Sequence, residues 1–182
     1  MGTGPLDGTL VVDLSRALAG PHATMMLGDL GARVVKVEAP GAGDDTRGWG
    51  PPFVDPPGGE ARESTYFLSA NRNKESVTLD LKDAADKAVL VDLVRRADVL
   101  VENFRTGVLD RLGLGFEHLQ ELNPRLVVLS ITGFGHDGPE GGDGAGKAPR
   151  VGRTTLRRVT RRRAPGRRGG ESAVHRTFGA AL

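Results

Sequence analysis

The stretch 10–40, LVVDLSRALAGPHATMMLGDLGARVVKVEAP, decides the fold because it carries the pattern of a complete strand, helix, strand unit. The apolar run 10–14 is typical of a strand buried on both faces of a parallel sheet, and residues 33–38 repeat that pattern. Between them, Pro21 stands where the first turn of a helix tolerates proline, and Gly31 marks the end of the helix. Such a unit presents main-chain N–H groups at the carboxyl ends of its strands, where anionic ligands bind.

The same alternation continues along the chain. It predicts strands at 76–81, 99–101 and 125–131, and helices at 82–97, 106–112 and 116–122. Asp83 is the predicted N-cap of the first of these helices. The order of elements predicts an α/β fold, with a mostly parallel sheet of about five strands covered by helices on both faces and joined by right-handed crossovers.

Two of the helices have apolar residues at helical spacing, which predict the faces that they bury. In the helix after the first strand, the predicted face is Ala23, Met26, Leu27 and Leu30. In the helix that follows residue 82, it is Ala85, Val89, Leu93 and Ala97, widened by Leu90 and Val94.

A ligand crevice is expected at the carboxyl ends of the parallel strands. The residues expected along it are Ser15, Arg16, Glu38, Ala39, Asn103 and the segment 130–132. A dinucleotide-binding fingerprint does not fit, because it requires G-x-G-x-x-G and Gly20 stands alone before Pro21. Glu38 is therefore interpreted as a strand-end acid, and Arg47, in the Gly- and Pro-rich stretch 41–63, as a solvated loop cation.

Length and composition are typical of one domain with a real core. The chain has 182 residues, of which 38% are hydrophobic. It has no cysteine, which excludes disulfides, thiolate zinc sites and a cysteine nucleophile, and we predict no metal site. No signal sequence and no apolar run of membrane length are evident, so a cytoplasmic protein without membrane contact is expected.

Charge divides the chain into two unlike parts. Residues 1–140 hold 14 Lys and Arg against 21 Asp and Glu, and residues 141–182 hold 11 against 2, which together give the 25 and 23 of the whole chain. The second part has ten arginines and many glycines, and its apolar residues are few and irregular. It is expected to be a disordered basic tail over residues 143–182.

Five ordered motifs carry a resemblance to a known family. They are PLDGTLVVDLSRALAGPHATMMLGDLGARVVKVEAP, GDDTRGW, NRNKESVTLDLK, ADVLVENFRTGVLDRLGL and LNPRLVVLSITGFGHDGP, between Pro5 and about Gly142. Taken together, they resemble the class III CoA-transferases, which include the formyl-CoA and carnitine CoA-transferases and the related 2-methylacyl-CoA racemases. The resemblance implies that residues 5–140 form a Rossmann-like, CoA-binding domain. It also implies an interlocked homodimer in the intact family.

The resemblance implies CoA contacts at matching positions. These are Ala17, Leu79, Lys82, Asn103 and Arg111, and Arg72 and Lys74 are further candidate cations for the phosphates of CoA. Ala39 stands where some relatives have an arginine, so no phosphate contact is expected there.

The family chemistry implied by the resemblance is transfer of CoA from an acyl-CoA thioester to a carboxylic acid through an aspartyl intermediate. The racemases instead use a His and Asp pair to move a proton. Both sets of catalytic residues lie beyond the matched motifs, so no catalytic residue is assigned. Asp143 and His136 are interpreted as loop residues.

Because the family pattern stops near Gly142, the chain is expected to be a truncated and inactive member, with a tail that reads like a frameshifted sequence. Two alternatives remain: a racemase-type enzyme, and a non-enzymatic protein whose basic tail binds nucleic acid through its arginines. Nucleic acid is the less favoured partner, because Phe178 is the only aromatic residue of residues 143–182 and base stacking needs several.

Overall fold

A computed structural model describes the main chain and side chains of residues 4–56, 58 and 61–133, and the main chain alone of residues 153–158 and 176–179. The strands are β1 (Leu10–Asp13), β2 (Arg33–Glu38), β3 (Phe53–Val54), β4 (Glu63–Ser64), β5 (Lys74–Thr78), β6 (Val99–Glu102), β7 (Val127–Thr132), β8 (Arg153–Arg158) and β9 (Arg176–Gly179). The helices are α1 (Ala19–Asp29), α2 (Thr65–Asn71), α3 (Ala84–Arg96), α4 (Val108–Arg111) and α5 (Phe116–Leu122), with a 3₁₀ turn at Asp45–Gly48.

Five parallel strands form the body of the main sheet, in the order β5, β2, β1, β6, β7. These strands are rich in valine and leucine because helices cover them on both faces. The predicted α/β class and mostly parallel sheet are confirmed. The third strand begins two residues earlier than predicted, at Lys74, so Leu79 follows that strand instead of lying inside it.

The order of the strands reverses at β1. The chain runs from β1 to β2 and β5 on one side, and α3 then carries it back to β6 and β7 on the other. In a sheet with this reversal, the loops that leave β1 and β6 mark the point at the carboxyl edge where a ligand crevice is expected. This switch point is where the sequence places Arg16 and Asn103.

Helices cover both faces of the sheet. On one face, α1 packs against a cluster built on Val11, Val34 and Val101, with α2 beside it. On the other face, α3, α4 and α5 pack against a larger cluster that includes Val12 and Leu100. Neighbouring residues of one strand thus enter opposite clusters, as the alternation of a pleated strand requires.

The predicted buried face of α1 is wrong. The residues that α1 buries are Gly20, Pro21, Thr24 and Met25. Met26 is 53% exposed and Leu30 is also exposed, whereas Ala23 and Leu27 are partly buried. The helix turns this side to the sheet because the Thr24 hydroxyl donates to Asp13 Oδ2 at 2.6 Å, which satisfies a buried carboxylate at the end of β1.

The predicted face of α3 is shifted in part. Leu90 and Val94 lie in the core, and Ala97, just after the helix, is buried with them. Ala85 and Val89 are exposed instead. The N-cap is confirmed, since the Asp83 side chain accepts hydrogen bonds from the N–H groups of residues 85 and 86 at 2.8 and 3.0 Å.

Two segments of the basic region pair with the sheet. β8 lies antiparallel to β7, and β9 lies antiparallel to β8. No strand was predicted within 143–182, and the structure places these two there; the expectation of a disordered basic tail over 143–182 stays a prediction. The rest of that expectation, together with Asp143 and His136, lies outside the described residues.

Candidate functional site

The loops after β1 and β6 are joined at the switch point by one side chain. Asn103 Oδ1 accepts a hydrogen bond from the main-chain N–H of Arg16 at 2.9 Å, and Asn103 Nδ2 donates to the carbonyl of Arg16 at 2.7 Å. The amide of Asn103 therefore pairs with both main-chain groups of a single residue, as a residue of a neighbouring strand would. It holds the start of the β1 loop in register with the end of β6.

The next residue, Ala17, has an unusual main-chain conformation. Its φ is +66°, in the left-handed region that residues with a side chain rarely adopt. Its N–H donates to Asp44 Oδ1 at 3.2 Å, which ties the β1 loop to the 3₁₀ turn after β2. The conformation is thus stabilised by a named contact, and it is found at a residue that sequence analysis selected as a ligand contact.

Acidic residues at the ends of strands anchor the loops of this edge. Asp13 Oδ1 accepts from the N–H and the hydroxyl of Ser15, and Glu102 accepts from the hydroxyl of Ser130 and from the N–H of Phe104 at 2.8 Å. Both carboxylates are buried. Two of the polar positions predicted for the crevice, Ser15 and Ser130, therefore support the loops from below and do not line an open surface.

Glu38 ends β2 and is held by four hydrogen bonds. It accepts hydrogen bonds from Arg47 Nε at 2.7 Å and Nη2 at 2.8 Å, from Ser76 Oγ at 2.7 Å and from the N–H of Asp44 at 2.9 Å. Burial alone would raise the pKa of Glu38, but these donors outweigh it and lower the pKa to about 2. The interpretation of Glu38 as a strand-end acid is consistent with these contacts.

Arg47 is a structural residue, and its interpretation as a solvated loop cation is wrong. Besides Glu38, its guanidinium contacts Glu63 at 3.1 Å and stacks over the ring of Phe67, 3.8 Å from the ring centre. These contacts order the Gly- and Pro-rich stretch 41–63 against the sheet and against α2.

Gly20 has a packing role. A Cβ atom at this position would overlap the side chain of Ser15, so α1 can start this close to the end of β1 only with glycine there. The isolated glycine that fails the dinucleotide fingerprint is thus explained by the contact between helix and strand.

Two of the predicted phosphate cations are engaged elsewhere. The ammonium group of Lys74 donates to Asp13 Oδ2 at 3.1 Å, to the Pro21 carbonyl at 2.8 Å and to Asn71 Oδ1 at 2.9 Å. These acceptors use its three protons, and the side chain is 2% exposed. Burial lowers the pKa of Lys74 to about 8, and the charge of Asp13 opposes that shift.

Arg72 lies at the other end of the sheet. Its guanidinium is paired with Asp29 at 2.6 Å, and Asp29 is the last residue of α1, close in sequence to the start of β2. Because α1 runs antiparallel to the strands, this pair sits at the amino edge. The structure does not bring Arg72 to Asn103.

The remaining predicted contacts lie at the carboxyl edge. Leu79 is buried just after β5, and Lys82 is exposed in the turn that follows it. Arg111 is exposed on α4, and its guanidinium folds back against Gly107. Three strand spacings separate the ends of β5 and β6, roughly 14 Å, so these residues suit an elongated ligand that crosses the edge.

Sequence reasoning missed the buried polar residues that hold this edge. Lys36 and Asp44 form an ion pair at 2.8 Å, and both side chains are buried. The signal that could have found Lys36 is the one charged residue within the run VVKV, since a strand covered on both faces leaves no solvent for it.

Residues 4–56, 58 and 61–133 contain no cluster of three His, Asp or Glu residues that could hold a metal ion. None of the helices in the described part of the chain is long and apolar enough to span a membrane.

Comparison with known proteins identifies relatives of the matched region. The chain is 53% identical over 135 residues to the succinyl-CoA:glutarate CoA-transferase of Mus musculus, covering 74% of this chain and 30% of that protein. It is 53% identical over 136 residues to the acetyl-CoA:oxalate CoA-transferase of Acetobacter aceti, covering 75% and 33%. The chain thus spans about a third of the length of these relatives.

A solved structure shares the fold. The crystal structure of a CaiB/BaiF family protein from Brucella suis superposes with a TM-score of 0.73 at 50% identity, covering 77% of this chain and 36% of that one. The sequence model of CoA-transferase family III matches residues 6–154, which extends past Gly142, where the motifs noted in the sequence end. The chain therefore belongs to CoA-transferase family III.

Proposed function

We propose that the carboxyl edge of the sheet, between the loops after β1 and β6, binds coenzyme A for transfer between an acyl-CoA and a carboxylic acid. The observation that carries the proposal is the switch point itself, where Asn103 fixes the Arg16 peptide and Ala17 adopts a left-handed conformation. A crevice at this point of an α/β sheet is the usual place for a ligand. The relatives named above are CoA-transferases.

The chemistry of CoA suits the exposed residues of the edge. Its 3′-phosphate and pyrophosphate need cations and free donors, and Lys82 and Arg111 are exposed there. The adenine ring needs an apolar surface, which the half-buried Phe104 beside Asn103 offers. We assign Ala17, Leu79, Lys82, Asn103 and Arg111 to CoA, and we leave Arg72 and Lys74 out because the protein itself uses their charges.

Titration calorimetry of the 182-residue chain with CoA tests the proposal. Arg111→Ala is expected to weaken binding about tenfold or more, because a charge-assisted contact to phosphate is lost. Arg125→Ala is the matched control, since Arg125 is an exposed arginine just before β7, at the amino edge. Its affinity for CoA should stay within about twofold of the unsubstituted chain.

Dephospho-CoA, which lacks the 3′-phosphate, sharpens the assignment of Arg111. If Arg111 binds that phosphate, its replacement by alanine should weaken CoA more than dephospho-CoA, by about tenfold in the ratio of the two affinities. Equal losses would move Arg111 to the pyrophosphate. Failure of the unsubstituted chain to bind either ligand would overturn the function.

We further propose that these 182 residues bind CoA without turning it over. The family chemistry implied by the resemblance uses an aspartate carboxylate that attacks the acyl-CoA thioester, and that aspartate lies beyond the matched motifs. CoA exchange between succinyl-CoA and glutarate is the assay, with the mouse succinyl-CoA:glutarate CoA-transferase as positive control. Turnover by the 182-residue chain would contradict this part of the proposal.

The interlocked homodimer of the intact family stays a prediction, and light scattering of the purified chain measures it directly. No contact in the described part of the chain favours the racemase alternative. The nucleic-acid alternative depends on residues 143–182, of which the structure describes only the main chain of two strands. A salt-dependent affinity for nucleic acid that disappears when those residues are deleted would revive it.

A further inference from the structure

Lys36 is a charged residue in the middle of the protein. It occupies an inner position of β2, between Val35 and Val37, and is 1% exposed. Its neighbours on either side are the parallel strands β1 and β5. Such a position normally holds a branched apolar residue, so the ammonium group needs an explanation from its partners.

The partners of Lys36 belong to the loop that leaves β1 and to the loop that leaves β2. Its ammonium group donates to the carbonyl of Ser15 at 2.9 Å and lies 2.8 Å from Asp44 Oδ2. The other oxygen, Asp44 Oδ1, accepts from the N–H of Ala17 at 3.2 Å and from Thr46 N and Oγ1 at 3.1 and 2.9 Å. The pair therefore binds the carbonyl of Ser15 through Lys36 and the N–H of Ala17 through Asp44, on the buried side of the loop.

Stability alone does not explain a buried pair of this kind. Removing two charges from water costs several kcal/mol, and apolar replacements of similar volume are often neutral or stabilising. What an apolar pair could not supply is direction, because Lys36 and Asp44 present a donor and an acceptor at fixed points under the loop. Burial acts to raise the pKa of Asp44. The contacts with Lys36 and Thr46 act more strongly in the other direction, so the pKa of Asp44 is lowered and its carboxylate stays charged.

We propose that Lys36 and Asp44 are positioning residues that hold the loop 15–17, with Ala17 in its left-handed conformation, in the shape that receives CoA. Neither side chain touches the ligand, since both are buried beneath the loop. The inference rests on the proposed function for its ligand. It adds that the affinity of the edge for CoA is set by an ion pair inside the sheet.

The test separates positioning from stability by removing both charges together. In Lys36→Met/Asp44→Asn the stem of Lys36 is replaced by one of similar volume, and no uncompensated charge remains. The control is Arg33→Met/Glu75→Gln, which removes an ion pair of similar length, 2.7 Å. That pair also starts from β2 and joins it to β5, but it lies at the surface. Urea denaturation, CoA titration and amide exchange of Ala17 are measured for each.

We expect Lys36→Met/Asp44→Asn to stay folded, to bind CoA about tenfold more weakly and to exchange the Ala17 amide proton at least about tenfold faster. The control should change neither CoA affinity nor exchange at Ala17 by more than about twofold. If the pair served stability alone, the double variant would bind CoA more weakly only to the extent that part of it is unfolded. A folded double variant with unchanged CoA affinity and unchanged exchange overturns the proposal.

Two further measurements keep the result decisive. If the double variant does not fold, Asp44→Glu is used, because it keeps both charges while moving the acceptor for Ala17 by one methylene; unchanged CoA affinity and unchanged exchange at Ala17 in that folded variant also overturn the proposal. If the unsubstituted chain binds no CoA, the proposed function fails and the role in CoA affinity falls with it. The exchange rate of Ala17 then decides whether the pair holds the loop.

Discussion

Asn103 and Arg16 are joined by two hydrogen bonds of opposite direction: the N–H of Arg16 donates to Asn103 Oδ1 at 2.9 Å, and Asn103 Nδ2 donates to the carbonyl of Arg16 at 2.7 Å. Only asparagine and the longer glutamine have a carboxamide, which offers a donor and an acceptor side by side on one flat group. The pairing makes the end of β6 and the start of the β1 loop one unit, so a ligand that touches either loop is positioned by both.

Replacing Asn103 by alanine should lower the free energy of unfolding by about 1–3 kcal/mol, because two hydrogen bonds are lost at a partly exposed site. Urea denaturation measures the change. Gln120→Ala, at an exposed position of α5, is the control and should stay within about 0.5 kcal/mol of the unsubstituted chain. Equal effects of the two substitutions would show that the pairing with Arg16 contributes nothing.

The pH dependence of stability should reveal Glu38. Its pKa is lowered from 4.5 to about 2 on folding, so its contribution is fully present above pH 4.5 and is lost as the pH falls toward 2. The shift corresponds to about 3 kcal/mol. Glu38→Gln should remove that part of the acid slope when unfolding is followed between pH 5 and 2.

Glu75→Gln serves as the control for Glu38→Gln. Glu75 accepts two hydrogen bonds from Arg33, at 2.7 and 2.9 Å, but both side chains are exposed, so solvent screens the pair. This variant should keep most of the acid slope and lose less than about 1 kcal/mol at pH 7. An acid slope that survives Glu38→Gln intact would show that the buried carboxylate is not responsible.

The neighbouring methionines of α1 provide a matched pair. Met25 is 3% exposed and Met26 is 53% exposed. Met25→Ala should cost about 2–5 kcal/mol of stability, whereas Met26→Ala should change it by less than about 0.5 kcal/mol. Thermal or urea unfolding of the two variants decides which face of the helix meets the sheet. The reverse order would restore the face predicted from the spacing of apolar residues.

Gly20→Ala should destabilise the protein although alanine favours a helix by about 1 kcal/mol. The added methyl group would overlap Ser15, so either the start of α1 or the β1 loop must move. Gly48→Ala is the control, because a Cβ at Gly48 meets open space. A gain in stability for Gly20→Ala would contradict the close contact, and a two-dimensional NMR spectrum would show whether residues 15–17 shift.

The strands were predictable because their signals are local. Apolar runs such as 10–14 and 33–38, separated by Gly31, decide parallel strands and the helix between them without any long-range information. Asn103 was also predictable, since a polar residue directly after a buried strand of an α/β sheet lies at the ligand edge.

The face of α1 could not be predicted, because apolar residues occur on more than one side of it. Which side turns inward was decided by Thr24, a polar residue that satisfies Asp13, and by Gly20, which allows close approach. The spacing of apolar residues carries no information about either contact. The Lys36–Asp44 pair could not be predicted for a similar reason. Asp44, the partner of Lys36, lies in a loop whose path depends on the Glu38–Arg47 contact.

The anchoring acids Asp13, Glu38 and Glu102 each belong to the strand that a loop leaves, and each binds the first turn of that loop. At the carboxyl edge, each of these strands therefore ends in an acid that anchors a main-chain N–H of its loop two to six residues later. Replacing one of these loops by another sequence should leave the sheet intact as long as the anchoring acid at the end of the strand is kept.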